Sequence, residues 1–383
     1  MDFVIVIVLL ILGNLFVNQF KNKISEGNLR TLKNLFIYHI IFGIYFCFFA
    51  FGDAIGYWRQ AKMMTYQDFV TSFTDGQGTF FIHALNYFPA NVLDLSYFTG
   101  TMIYTLIGFI GLSYFYIIAV TLVPNNSKIS SYNLFPLLFF FPNLHFWSCG
   151  VGKDSLLFFC IAIFCYGLLM PFKRLPMIIL GLSLAYFIRP HITLFMLLGF
   201  GMAYFSGKKI ATYQRVLFFG IMIGVAFTIL PMVLKFAKIE QASIDDFNKF
   251  SSAKAAVLGR ASTGSAVDLS SYSFPVKVFT FLFRPLFFDI NGIPSVLVSF
   301  ENLLLLVLTF KIFRTNPIKS FRKAPFVIQG MIYFLLVGTF AFSQALGNLG
   351  IMIRMRNMFL PGLIIYIFWH FSYLQNKTKD DLD

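Results

Sequence analysis

The stretch GTMIYTLIGFIGLSYFYIIAVTL, residues 100–122, runs for 23 residues without a charge. A bilayer core needs about 20 apolar residues per helix, within a range of about 17–25. This run therefore reads as a helix that crosses a membrane. The same test along the chain marks further spans near 3–20, 35–51, 134–147, 155–171, 176–189, 192–206, 216–236, 293–310, 325–343 and 357–374, eleven in all. Residues 278–290 are apolar but too short to cross, and they carry Arg284-Pro285; they read as a re-entrant or interfacial piece. The expected fold is all-α, a polytopic integral membrane protein formed as one transmembrane domain over 1–383. A first outer loop is expected at 52–99, and a large outer loop with the re-entrant segment at 237–290.

Composition agrees. Of 383 residues, 58% are hydrophobic and 12% charged, with a mean hydropathy of +0.76. Average soluble domains are about 45–50% apolar and about 25% charged. A soluble enzyme, a disordered chain and a disulfide scaffold are excluded. Cys47, Cys160 and Cys165 lie inside apolar runs and Cys149 lies beside one, with no metal-ligand spacing, so they read as packing residues. The first apolar run starts after Asp2, with no basic leader and no small-residue cleavage site, and is expected to stay as a helix. No internal repeat is visible.

The net charge is +14, from 30 Lys and Arg against 16 Asp and Glu. Such a balance fits nucleic acid, an anionic membrane or an anionic substrate. Position decides. On the eleven-span scheme one side carries 17 basic and 4 acidic residues, and everything else carries 13 and 12. The positive-inside rule puts the first set in the cytoplasm, with the N-terminus outside and the C-terminus inside. The charge records insertion, and no nucleic-acid partner is implied.

Chemistry is then expected on the nearly neutral outer side. Helix dipoles favour anions at N-termini and cations at C-termini, by about 0.3–1 kcal/mol each. A charge of the opposite sign needs another reason. Asp53 follows the end of the second span, beside Tyr57 and Trp58, and reads as a carboxylate of the wrong sign next to aromatic faces. Arg354 and Arg356 stand before the last span and read as wrong-sign cations suited to phosphate oxygens. Lys153 precedes the fifth span; its neighbour Asp154 reads as that helix's cap. Arg189, before Pro190 and His191, ends a helix with the favoured sign. Arg284 repeats the Arg-Pro pair inside the short apolar segment. Glu301 lies within a span, where it is either functional or a polar tie, with Gln329 or Gln344 as partners. His145 and Trp147 join the outer polar and aromatic set.

Several motifs fail. Gly152-Lys153 lacks the earlier Gly of a phosphate loop and is followed by Asp. His83 does not begin an H-x4-D pattern, because position 88 is Phe88. The five His match no zinc spacing. No metal or cofactor is called for.

An outward cluster of cations at the lipid boundary, with an acid opposite, suits a polyprenyl-phosphate or polyprenyl-diphosphate sugar. The cations stabilise the leaving phosphate and a carboxylate takes the proton of the acceptor hydroxyl. The Gly-Asp-Ala-x-x-Tyr-Trp stretch at 52–58, the Phe-Trp-x-x-x-x-Gly-Lys-Asp segment at 146–154, the two Arg-Pro sites and the Arg-x-Arg at 354–356 resemble Wzy-type and EpsG-like surface-polysaccharide polymerases. Those proteins are related in layout to the GT-C lipid-sugar-dependent glycosyltransferases.

The resemblance implies a GT-C-like enzyme of the bacterial inner membrane that joins lipid-linked repeat units on the periplasmic face. It implies Asp53 as catalytic base, although Ala54 stands where such enzymes carry a second acid, so a divalent metal is not supported. Tyr57, Trp58, Lys153, Asp154, Arg189, His191, Arg284, Arg354 and Arg356 would bind the lipid-linked glycan. A chain-length regulator or flippase is the implied protein partner. The alternatives are a flippase or transporter of lipid-linked oligosaccharides, which would carry charges along a central path, and a ligase of the O-antigen type.

Overall fold

The computed structural model describes residues 1–50, 52–74, 76–124, 128–129, 132–206, 213, 216, 220, 224, 265–269 and 271–380. The regular secondary structure of the described residues is helical apart from two two-residue strands, Lys128–Ile129 and Tyr132–Asn133. Four helices are long and apolar enough to cross a membrane: α2 (Glu26–Phe49), α6 (Tyr97–Leu122), α12 (Ile293–Phe313) and α14 (Phe326–Ala345). A fifth is α15 (Leu349–Arg356) with α16 (Leu360–Asp380), if this pair, bent by 61°, counts as one span. Shorter apolar helices are α1 (Asp2–Asn18), α9 (Leu175–Ile188), α10 (Pro190–Ser206) and α11 (Phe274–Phe283). The large apolar side chains of α1, α2 and α12 are widely exposed, Phe3, Ile11, Ile37 and Phe300 among them, as expected of faces turned to lipid. The chain is thus a membrane-type helical protein. The expected span 216–236 lies outside the described residues except for Val216, Gly220 and Gly224, as does most of the loop that follows.

The single domain expected over 1–383 divides into two compact units. The first is Met1–Asn126 with Ser131–Arg189; the second is Ser127–Ser130 with Pro190–Asp383.

In the first unit, α1 is fixed at its start. The Asp2 carboxylate accepts from the Ser96 backbone N–H at 2.8 Å and its hydroxyl at 2.7 Å, at the N-terminus of α6. Ser96 is itself the N-cap of α6, accepting from the Thr99 N–H. Ser25 caps α2 in the same way. The expected span 134–147 is corrected. It is not a continuous helix but a 3-10 turn, Leu137–Phe140, and a five-residue helix α7 (Pro142–Phe146). Its contacts move along α6 from Tyr116 (to Phe135 and Phe139) to Gly108 (to Ser148) and Thr105, whose hydroxyl bonds the Cys149 carbonyl at 3.3 Å. The segment therefore runs antiparallel to α6 as irregular backbone. Backbone of this kind at membrane depth is tolerated where protein covers it, and Leu138, Phe139, Leu144 and Cys149 are buried. Next, α8 (Lys153–Gly167) packs along α6, with Tyr114 and Tyr166 rings 4.4 Å apart. The return helix α9 lies on α8, Gly181 against the Cys160 carbonyl and Gly167 against Ile178.

Residues 52–92 form a layer of short helices over one end of this bundle: α3 (Asp53–Met63), α4 (Tyr66–Thr74) and α5 (Thr79–Tyr87), the last continued by a π-turn, Phe88–Val92. Thr65 and Asp68 start α4 by a reciprocal capping box. The Asp68 carboxylate accepts from the Thr65 N–H at 2.9 Å, and the Thr65 hydroxyl accepts from the Asp68 N–H at 3.2 Å.

In the second unit, α10 and α14 are antiparallel, with Phe195 on Phe342 and Gly199 on Phe334. The close approach of α14 and α16 is made at Gly338, against Phe359, and Gly362, against Met331. Between α12 and α14 lies α13 (Pro317–Lys323), capped by Asn316. Ala266 bridges to Asn348, which caps α15.

Candidate functional site

The first unit carries a pocket of 520 Å³ in the layer of short helices. It is lined by Asp53, Gly56, Tyr57, Gln60, Met64, Asp68, Ser72, Phe80 and His83. Three helix stripes build it. Asp53, Gly56, Tyr57 and Gln60 lie at spacings of three and four on α3; Asp68 and Ser72 are one turn apart on α4; Phe80 and His83 share a face of α5.

Asp53 is the first residue of α3, with Gly52 as N-cap. This corrects the expected placement at the tail of α2, which ends at Phe49. The α3 dipole favours the carboxylate, so its sign carries no functional signal. What carries signal is the pocket it lines.

Tyr57 is in the pocket; its neighbour Trp58 is not. Adjacent helix positions differ by about 100° in direction. Trp58 is 4% exposed, packs on Gly100 of α6 and donates its indole N–H to the Leu95 carbonyl at 3.2 Å. It anchors α3 to the bundle.

Lys153 reaches this layer from α8. Its ammonium donates to the Thr79 hydroxyl at 2.7 Å and lies 5.7 Å from the centre of the Tyr57 ring. Gly152 permits the approach: its φ is +143°, and a Cβ there would stand 3.1 Å from the Tyr57 ring. Lys153 is the first residue of α8, so its wrong sign for the dipole is confirmed in place. The N-cap is Gly152, not Asp154 as expected; Asp154 pairs with Arg189 at 3.3 Å instead. Arg189 is the C-cap residue of α9, as its Pro190 neighbour suggested.

His83 fits no sequence motif, yet it completes the pocket. Its ring centre is 5.8 Å from that of Tyr57. Burial first, then the nearby Lys153 cation, hold its imidazole below the ordinary value. Asp68 is held below the usual carboxylate range by its Thr65 bonds. The cavity thus offers two carboxylates, a neutral imidazole, an amide, a hydroxyl and two aromatic rings, with one ammonium at its edge. Such a set can hold a polyhydroxylated ligand and accept a proton from it. Among the described residues no group of His, Cys, Asp and Glu is arranged to hold a metal ion.

His145, expected with the outer polar set, lies fully buried in a chain of hydrogen bonds. Its Nε2 is 2.8 Å from the Phe139 carbonyl and must donate. Its Nδ1 then accepts from His39 Nδ1, 2.9 Å away. His39 Nε2 lies 3.4 Å from the Cys149 thiol, which also donates to the His39 backbone carbonyl at 3.5 Å. These contacts tie α2 to the irregular segment.

The second unit holds the remaining candidates. Arg356 is 2% exposed. Its guanidinium donates to the carbonyls of Phe281, Leu282 and Arg284, the open C-terminus of α11, and to Asn302 Oδ1 at 2.6 Å. It is a brace, not an exposed grip. Arg354 and Arg356 lie in the last turn of α15, not at the start of the last span. The dipole therefore favours both, which corrects the wrong-sign reading. Glu301 is buried on α12, and the charge that it acts on is Arg356, not Gln329 or Gln344. Gln329 bonds the Phe321 carbonyl and Gln344 accepts from Lys277. Arg284 forms a two-pronged pair with Asp289 and donates to the Tyr272 hydroxyl at 3.3 Å. This neutralises a cation that otherwise needed a wet cavity. The His191 ring packs on Phe195 and Phe342.

Comparison of the chain with family models, with curated proteins and with solved structures finds no match.

Proposed function

We propose that this chain is a membrane glycosyltransferase that joins polyprenyl-phosphate- or polyprenyl-diphosphate-linked sugars into a surface polysaccharide, with the short-helix layer on the periplasmic face of the bacterial inner membrane. A GT-C-like layout of about eleven crossings, N-terminus outside and C-terminus inside, goes with this reading. The observation that carries it is the pocket that sets Asp53, Tyr57 and His83 together beside Lys153. In the reaction an acceptor hydroxyl oxygen attacks the anomeric carbon, and the bond from that carbon to the phosphate oxygen breaks. The hydroxyl proton passes to Asp53. The lipid phosphate departs with the electron pair, its charge met by Lys153. Tyr57 and Phe80 supply ring faces for the sugar. Arg284 and Arg356 hold the second unit together and are not assigned to the phosphate.

A ligase needs the same grip, so the acceptor alone separates it from a polymerase. The test is Asp53→Asn in cells that make the polymer. Loss of a general base costs about 100-fold or more, so long polymer should vanish while the variant reaches wild-type levels in the membrane. Polymer of normal length in that strain would overturn the proposal.

A further inference from the structure

Helix α13 is a seven-residue helix in a loop between two apolar helices, yet it is bolted in place. Ser320 is fully buried; its hydroxyl is 2.6 Å from His370 Nδ1 and 3.1 Å from the Tyr366 hydroxyl. The Tyr366 hydroxyl donates to the Pro317 carbonyl at 2.9 Å, and the Trp369 indole donates to the Ser320 carbonyl at 3.1 Å. Thr315, just before the helix, is 2.8 Å from His370 Nε2. All three partners sit on α16. This fixing decides which way α13 faces. Ile318, Lys319, Arg322 and Lys323 are exposed and lie one turn apart in pairs, so they share one face. Lys311, Phe313 and Arg314 beside them are exposed too, Phe313 at 70% and Ile318 at 63%.

Residues 302–379 contain no Asp or Glu. Among the described residues no ion pair involves Lys311, Arg314, Lys319, Arg322 or Lys323. The positive-inside rule explains cations in a short loop, but it requires only their number. It does not require a buried hydrogen-bond network that holds Lys319, Arg322 and Lys323 on one face together with the exposed Ile318. That combination, cations flanked by apolar groups at the end of a spanning helix, fits the boundary of a bilayer with phosphates at its surface.

We propose that α13, with Lys311 and Arg314, is a binding site for the phosphodiester head group of an anionic phospholipid. Ile318 and Phe313 enter the acyl boundary, and Lys319, Arg322 and Lys323 meet the phosphate. The site does not depend on the sugar chemistry proposed above.

The test uses the full chain, purified in neutral detergent and titrated with phosphatidylglycerol or phosphatidylcholine. Bound lipids are counted by native mass spectrometry. Phosphatidylglycerol should bind in preference. Its affinity should fall roughly fivefold per cation removed in K319Q/R322Q/K323Q, and it should be kept in K319R/K323R, which guards against a merely misfolded triple variant. A control triple at another basic loop, K21Q/K23Q/K33Q, should leave it unchanged. Equal binding of the two lipids overturns the proposal. So does an equal loss in both triple variants, or full phosphatidylglycerol binding in the first.

Discussion

Asp53 and Arg356 show how a charge changes meaning when its helix is redrawn. Each read as a sign the dipole disfavours, and each sits where the dipole favours it, because an extra helix boundary falls beside it. Gly52 starts a new helix at Asp53, and the chain bends at residues 357–359 after Arg356. Arg356 then serves four acceptors. Arg356→Gln should leave these unmet and cost about 3 kcal/mol, read as a lower melting temperature in detergent. Lys153 keeps its disfavoured sign and faces Tyr57 and Thr79. His83 feels that cation. Its imidazole is held below the ordinary value of about 6.5, so the unfolded chain takes up the proton first as pH falls. The stability tied to a neutral His83 is present above about 6.5 and is lost as pH drops toward the folded value. Lys153→Gln removes the cation and should raise the pH at which His83 protonates. Histidine-labelled NMR of the variant and the parent measures this; no upward movement would show that Lys153 does not act on the ring.

At the scale of the element, the irregular segment at 134–152 is the informative one. The sequence marks it as apolar, but it is short and contains Pro136 and Pro142, which interrupt helices. Contacts to α6 and α2 hold it in place, Thr105 bonding the Cys149 carbonyl and His39 the His145 ring, and no local pattern states them. Gly108 is the contact that lets it lie so close, since a Cβ there would strike the Ser148 carbonyl. Gly108→Val should cost about 1–3 kcal/mol and expose the segment to protease in detergent, with little change in the insertion of α6. The stripe on α3 could have been found in the sequence. Asp53, Tyr57 and Gln60 recur at helical spacing, once α3 is recognised as a helix separate from α2. The stripes from α4 and α5 could not be joined to it, because only packing sets which faces of three short helices converge.

At the scale of the whole molecule, the proposed orientation can be tested from both ends of the chain. Because 134–152 returns along α6, Lys153 ends in the layer that contains Asp53. This gives a topology test. A membrane-impermeant maleimide applied to intact cells should label Met63→Cys, which stands exposed in the short-helix layer, and should not label Lys319→Cys until the cells are opened. The four native cysteines are buried or half-buried and give a low background. Labelling of both in intact cells would refute the proposed orientation.

The sequence by itself determined the membrane-helical class and the long apolar helices among the described residues. Each of these follows from local composition, since burying a run of apolar residues and excluding charge are properties of the run itself. Tertiary structure alone decided where helices break at Gly52 and after Arg356, that 134–152 runs along α6 without a regular helix, and that His83 and Asp68 share a cavity with Asp53. Those outcomes depend on which backbone groups a neighbour can satisfy and which faces a neighbour can cover, and neither is written in the run of residues that adopts them.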